Sequence, residues 1–242
     1  MNESTFSLAH IWAQGDGVAH AVAAMLVLMS LASWSVILVK AWQLIALRRM
    51  SAGAKAFWHA TSFEAGMAAL APRAADNPFH DLAHRGTEAV SHHTTHRDEL
   101  HGVLGLNDWL TSTLRQSIDD TTGRLQSGLS ILASVGSTAP FIGLFGTVWG
   151  IYHALIGIGA AGQATLDKVA GPVGESLVMT AGGLAVAIPA VLGYNALVRG
   201  NKEILASLRH FAHDLHAYLV TGGRVKKTAP ANVHPLPRKE AQ

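Results

Sequence analysis

One acid and two hydroxyls stand where charge is otherwise missing. Glu175 is the single charged residue in the 30 residues from Val169 to Val198, a stretch that also holds Thr180. Thr147 lies between Arg124 and Asp167, in 42 residues without a formal charge, where His153 is the one side chain of a type that ordinarily titrates near neutral pH. A carboxylate in such apolar surroundings costs on the order of a few kcal/mol if it faces lipid, and burial without a cation raises its pKa. Glu175 therefore has two readings, a role in ion or proton movement or a protonated side chain bonded across helices. The threonine hydroxyls either bond back to their own helix or meet water and a passing proton carrier.

Other chemistries lack their parts. There is no cysteine, so disulfides, Cys–zinc sites, iron–sulfur clusters and thiol nucleophiles are excluded. No phosphate-binding glycine loop with lysine, His-Glu-x-x-His pair or Gly-x-Ser-x-Gly elbow occurs. An enzyme is not expected, nor a catalytic residue or a cofactor. The 14 histidines include His80 with His84, the group His92, His93, His96 and His101, and the group His210, His213 and His216. Imidazoles one turn apart can share a metal, but no carboxylate completes a ligand set at helical spacing. The expectation is a solvated polar face and no metal site; a metal transporter built on these clusters is the competing reading, and a passive scaffold a third.

The elements that must carry these residues are membrane helices. The 242 residues are 49% hydrophobic and 14% charged, with net charge +2, against about 25% charged in an ordinary soluble domain. Val18 to Val39 has no Asp, Glu, Lys or Arg, and its 22 residues span about 33 Å as helix, enough for a bilayer core of about 30 Å. Residues 1–17 hold no Lys or Arg but do hold Glu3 and Asp16, which does not resemble a cleavable signal. The uncharged run after Arg124 would extend about 63 Å as helix, about twice the membrane core. Its outer half near Pro140 to Gly159 suits the bilayer; its inner half near Leu125 to Ala139 is expected to project beyond it. Pro140 is expected to bend or loosen the helix.

Orientation follows from the cations. Of 18 Lys and Arg, nine lie from Lys40 to Arg124, eight from Arg199 onward, one is Lys168, and none precedes the first helix. Cations concentrate on the cytoplasmic side. The expected division is a periplasmic N-terminus over 1–17 and a first transmembrane helix over 18–39. A cytoplasmic helical region over 40–124 follows, then a long helix with the second span over 125–159. A periplasmic loop over 160–168 leads to a third span over 169–198 and a cytoplasmic helix and disordered tail over 199–242. The spread of basic residues is explained by this topology and does not point to nucleic acid. Within 40–124, helix is expected from Lys40 to Ala69, breaks at Ala71-Pro72 and Asp76-Asn77-Pro78, with Asn77 as N-cap, and a further helix from near Thr95. Its apolar stripe is Leu100, Leu104, Leu110, Leu114 and Ile118.

Depth and spacing tie the polar residues together. Glu175 is seven residues from Lys168, about 10 Å in. Thr147 lies 12 residues from Gly159 and Thr180 lies 12 from Lys168, each about 18 Å deep, so an antiparallel pair would bring them level. Gly136, Gly143, Gly150 and Gly157 recur every seven residues on one slowly drifting stripe, which lets a second backbone approach closely in lipid. Gly171, Gly174, Ala181, Gly182, Gly183 and Ala185 make the last span similarly small.

Two segments carry a resemblance. Gly136-Ser-Thr-Ala-Pro-Phe-Ile-Gly-Leu-Phe-Gly-Thr-Val-Trp-Gly-Ile151 resembles the second-helix signature of the ExbB/TolQ/MotA proton-channel family. Ala170-Gly-Pro-Val-Gly-Glu-Ser-Leu-Val-Met-Thr180, with Ala187-Ile-Pro-Ala-Val191 and Tyr194-Asn195, resembles its third-helix signature. The likeness is close over about 125–200. The MotA branch has a fourth membrane helix and is disfavoured. Overall length and the region Phe211 to Tyr218 are more similar to the ExbB branch, whereas His153 is similar to the TolQ branch. The resemblance implies an all-α, multi-pass inner-membrane protein of three transmembrane helices, the second and third long and projecting into the cytoplasm. It implies a ring of copies, a pentamer, enclosing the helices of ExbD-like single-span partners and driving a TonB-like protein with the proton gradient, for outer-membrane uptake of iron carriers and vitamin B12. A TolQ-like subunit of the Tol-Pal envelope system is the alternative. By the same resemblance the proton pathway falls on Thr147, Glu175 and Thr180.

Overall fold

The computed structural model describes residues 16–71, 76–95, 105–161 and 166–223, and among these every regular element is a helix. They are α1 (Gly17–Phe57), α2 (Phe63–Leu70), α3 (Pro78–Thr95), α4 (Leu106–Gln126), α5 (Leu129–Ala161) and α6 (Leu166–Thr221). Three stretches, Gly17–Phe57, Leu106–Gly159 and Ser176–Thr221, are long and apolar enough to cross a membrane. The tail expected to be disordered beyond residue 223 and most of the expected periplasmic N-terminus lie outside the described residues.

Local chemistry sets the helix ends. Asp16 caps α1, its Oδ1 accepting from the Ala19 N–H at 2.8 Å. The helix expected from Lys40 to Ala69 is divided: α1 ends at Phe57, and Ser62 restarts the chain as α2 by accepting from the Ala65 N–H at 3.2 Å. Asn77 caps α3 as its sequence predicts, accepting from the Phe79 N–H at 3.1 Å, with Pro78 in the first helical position. The expected helix start near Thr95 is instead the end of α3, and the next described helix begins at Leu106. Leu100 and Leu104 lie outside the described residues.

The long helix expected over 125–159 is interrupted at its start. Gly128 has φ +79°, a left-handed conformation that suits glycine, and it separates α4 from α5. Lys40 Nζ caps this junction, donating to the Arg124 carbonyl at 2.9 Å and to Ser127 Oγ at 3.0 Å. Pro140 sits inside α5, which remains helical through it; the missing N–H leaves the Gly136 carbonyl without its i+4 donor. Gly222, φ +68°, closes α6 by donating to the Tyr218 carbonyl at 2.9 Å.

The chain forms two compact units, residues 1–52 with 121–205 and residues 53–120 with 206–242. In the first, α5 and α6 run antiparallel. Gly136 lies against Val191, Gly143 against Gly183, and Gly150 against Ser176, so one number rises as the other falls. Helix α1 runs parallel to α6, with Leu26 against Gly182, Ile37 against Gly193 and Leu44 against Gly200. Val22, Leu26, Val135, Ala139, Ala187 and Ala190 make its central core. Large apolar side chains such as Leu28, Leu31, Phe141, Phe145 and Leu192 point outward, the arrangement of helices solvated by lipid or by other helices.

The second unit has an aromatic core. Phe211 meets Phe57 and Phe79 edge to face, at ring separations of 5.2 and 5.6 Å, and Phe63 stacks on Tyr218 at 5.9 Å. Leu82, Leu110, Leu114, Leu208 and Leu215 fill the space around them, and Gly66 exists because a Cβ there would lie 2.7 Å from the Phe57 ring. Arg85 bridges Asp81 and Asp120, each at 3.0 Å. Burial pulls the guanidinium down, but these two carboxylates outweigh it and hold its pKa above the ordinary value. Buried Asn77 also donates from Nδ2 to the Leu70 carbonyl at 2.9 Å. Replacing Asn77 by Ala removes the α3 cap and that tie together, and should destabilise the protein by about 2 kcal/mol in a denaturant titration followed by circular dichroism.

Candidate functional site

The site lies between α5 and α6 in the first unit. A tight glycine seam positions it. A Cβ on Gly143 would lie 2.6 Å from the Met179 carbonyl oxygen and 3.1 Å from the Gly183 Cα; one on Gly183 would lie 2.5 Å from the Ala139 carbonyl oxygen. These are backbone atoms, so no side-chain rotation relieves the overlap. Gly136 faces a Val191 methyl at 2.7 Å, and Gly150 faces Ser176. Three of the four heptad glycines thus sit in the α5–α6 seam; for Gly157, nothing among the described residues comes within 4 Å.

The seam brings the two threonines together. Thr147 Oγ1 and Thr180 Oγ1 are 2.5 Å apart. Thr147 Oγ1 is also 3.1 Å from the Gly143 carbonyl and 3.0 Å from the Ser176 carbonyl. One hydroxyl carries one hydrogen. When Thr147 donates to either carbonyl, its oxygen accepts from Thr180, and when Thr180 receives instead, both carbonyls lose the Thr147 donor. The pair therefore has two hydrogen-bond polarities. The back-bond to the own helix that the sequence allows is present, and a contact across helices stands beside it. Thr147 is 6% exposed, whereas Thr180 is half-buried.

Glu175 lies on α6, one residue before buried Ser176 and one turn before Met179; its side chain lies outside the described residues. Ser176 is the member that sequence reasoning missed: its carbonyl accepts from Thr147 and its side chain fills the Gly150 notch. The signal was adjacency to Glu175, masked by the commonness of serine in membrane helices.

A second missed group sits nearer the start of α1. The Trp149 Nε1–H donates to Asp16 Oδ2 at 2.6 Å, and His153 Nε2 lies 3.7 Å from the same oxygen. The Trp149 and His153 rings are 4.8 Å apart. The Ala19 N–H, then the Trp149 indole, hold the Asp16 carboxyl below its ordinary pKa of 3.8, against some desolvation and with help from His153. A lowered carboxylate pKa adds stability at neutral pH that is lost as pH falls below 3.8.

The histidine groups are dispersed in local contacts. His80 and His84 stack at 6.3 Å, His84 pairs with Glu88 at 3.8 Å, His92 stacks on Trp109 at 6.4 Å, and His216 shares a hydrogen bond with Thr111 at 3.3 Å. His96 and His101 lie outside the described residues. Among the described residues no group of three or more His, Cys, Asp or Glu is placed to hold a metal ion.

Comparison with known proteins decides the family. Residues 77–210, which include the whole seam, match the MotA/TolQ/ExbB proton channel family. The chain belongs to that family. It is 42% identical over 219 residues to the biopolymer transport protein ExbB of Xanthomonas campestris pv. campestris, covering 88% of this chain and 86% of the relative. It is 42% identical over 211 residues to ExbB of Neisseria meningitidis, covering 87% and 96%. The Tol-Pal system protein TolQ of Pseudomonas aeruginosa is 42% identical over 106 residues, covering 44% and 46%. Membership of a proton-channel family, together with three membrane-capable helices, fits a multi-pass protein of the inner membrane engaged in transport.

Proposed function

We propose that this chain is an ExbB-like motor subunit in which Thr147, Thr180 and Glu175 form the proton path. The observation that carries this is the Thr147–Thr180 contact: two hydroxyls joined across helices, in a seam where glycines otherwise meet backbone and the Ser176, Met179 and Val191 side chains. A pair that reverses its hydrogen bonding without moving heavy atoms suits proton passage. Glu175 stands between the outer end of α6 and this pair, as an acid that takes or yields a proton.

In this reading copies of the chain close into a ring, a pentamer, consistent with a cyclic assembly of identical chains. The N-terminus is periplasmic and the C-terminus cytoplasmic, with α5 and α6 continuing past the membrane into the cytoplasm. The ring holds ExbD-like single-span partners, whose acid crosses the apolar zone when protonated at lower cost, and the complex drives a TonB-like protein. A proton moving down about 150 mV releases roughly 3–4 kcal/mol, enough to bias a step between equivalent positions. The near full-length match to ExbB relatives favours import of iron carriers and vitamin B12. TolQ-like service to the Tol-Pal system is the second reading, supported by 53% identity over 73 residues to TolQ of Haemophilus influenzae.

The test is co-purification from a detergent extract of cells expressing this chain and its neighbouring genes. A single-span partner with an acid in its span, together with loss of iron-carrier uptake on deleting this chain, is the expected result. Normal uptake with a leaky outer envelope selects the TolQ reading, and no such partner overturns both. Glu175→Gln separates a path from a passive scaffold. Uptake should fall to background while the complex stays intact on native electrophoresis.

A further inference from the structure

Building on that reading, we infer that Ser176 is a third hydroxyl of the proton path, extending the Thr147–Thr180 pair one turn toward the outer end of α6. Ser176 is 5% exposed, and two of its atoms meet α5. Its carbonyl oxygen lies 3.0 Å from Thr147 Oγ1. Its Oγ occupies the space that a Cβ on Gly150 would need. Gly150 stands three residues beyond Thr147 on α5, and Ser176 four residues before Thr180 on α6, about 4.5 and 6 Å along the two helices. The three hydroxyls therefore follow one seam, one turn apart, and the Ser176 hydroxyl reaches the level of Glu175, the residue before it.

Packing alone does not call for a hydroxyl at this position. Deeper along α6 the buried positions of the same core are Ala187 and Ala190, and burying a hydroxyl costs free energy unless it is hydrogen-bonded. A hydroxyl brings what a methyl lacks: it donates one hydrogen and accepts on its oxygen. It can take a proton on the oxygen and release its own hydrogen onward, with no net change in its composition, as the threonine pair does. Gly150 is what admits it, because a side chain there would displace the oxygen from the seam.

The experiment uses the full complex with its single-span partner in vesicles and measures proton flux under an imposed membrane potential. It compares wild type, Ser176→Ala, Gly150→Ala and the two changes together. Ser176→Ala removes the hydroxyl and should lower flux about a hundredfold, the low end of what a positioned proton-transfer group contributes. Gly150→Ala keeps the hydroxyl but turns it out of the notch, and should lower flux comparably. In the double variant the added methyl takes the room that the hydroxyl leaves, since a Cβ on Gly150 lies 3.1 Å from the Ser176 Cβ. Flux should stay as low as in the single variants while the complex remains intact on native electrophoresis. Recovery toward wild type in the double variant would make Ser176 a packing residue, and normal flux in Ser176→Ala would show the hydroxyl to be idle; either overturns the assignment. A second measurement needs no variant and decides where one assembles poorly. In the wild-type complex moved to heavy water, the labelled Ser176 Cβ resonance should report hydroxyl exchange as fast as those of Thr147 and Thr180. A Ser176 hydroxyl that keeps its hydrogen while the threonines exchange overturns the assignment. If the threonine hydroxyls fail to exchange as well, the proton path itself fails instead.

Discussion

Replacing Thr147 and Thr180 together by valine should reduce energised uptake of a labelled iron carrier to background while membrane insertion stays normal. Valine keeps the shape of threonine and removes the hydroxyl. The Thr147 partners at Gly143 and Ser176 are main-chain carbonyls within helices α5 and α6, which retain their helical donors, so the double change leaves no buried group orphaned. Substituting both partners of a hydrogen bond by apolar groups of like shape is nearly neutral for stability. What is lost is the hydroxyl crossing between the two helices. Uptake assays with membrane content measured by immunoblot check this, and each single valine variant should retain partial activity, since one hydroxyl still bonds a carbonyl or water.

Gly143→Leu should abolish assembly altogether. Its Cβ would meet the Met179 carbonyl oxygen at 2.6 Å and the Gly183 backbone at 3.1 Å, and neither can yield unless the two helices part. Overpacking of a tight core costs about 1–3 kcal/mol, and leucine adds three further carbons to that overlap. Separation of α5 from α6 would also pull apart the Thr147–Thr180 pair one turn away. The comparison is Gly157→Ala, where a Cβ meets nothing within 4 Å among the described residues. Native electrophoresis should show the complex lost in the first and wild-type in the second. Equal loss would mean that the heptad stripe acts as a whole, between copies of the chain and not within one.

What the sequence made legible was whatever depended on one helix at a time. The absence of charge over Val18–Val39 and 125–166 revealed apolar helices without any knowledge of their neighbours. Equal counts from the two hairpin ends placed Thr147 level with Thr180, because helix rise is constant. Glycine every seven residues announced a close approach. Features that need a specific local torsion were less visible. Gly128 reads like the glycines of α5 that follow it, yet its φ of +79° separates α4 from α5. The break before Ser62 was hidden because the flanking residues keep helical spacing across it. Tertiary pairs were invisible. Asp16 and Trp149 are 133 positions apart, and nothing in either segment names the other. His153, visible in the sequence as a lone imidazole in an uncharged run, gave no sign of the carboxylate that the fold places beside it.

The most direct measurement is proton flux into vesicles containing the purified complex, with a dye reporting internal pH and an imposed membrane potential. Thr147→Ser with Thr180→Ser should conduct within a few-fold of wild type, because the hydroxyls remain. Thr147→Val with Thr180→Val should conduct no more than empty vesicles. Wild-type flux through an intact complex carrying both valines would contradict the account at its centre, leaving the threonine pair as packing alone.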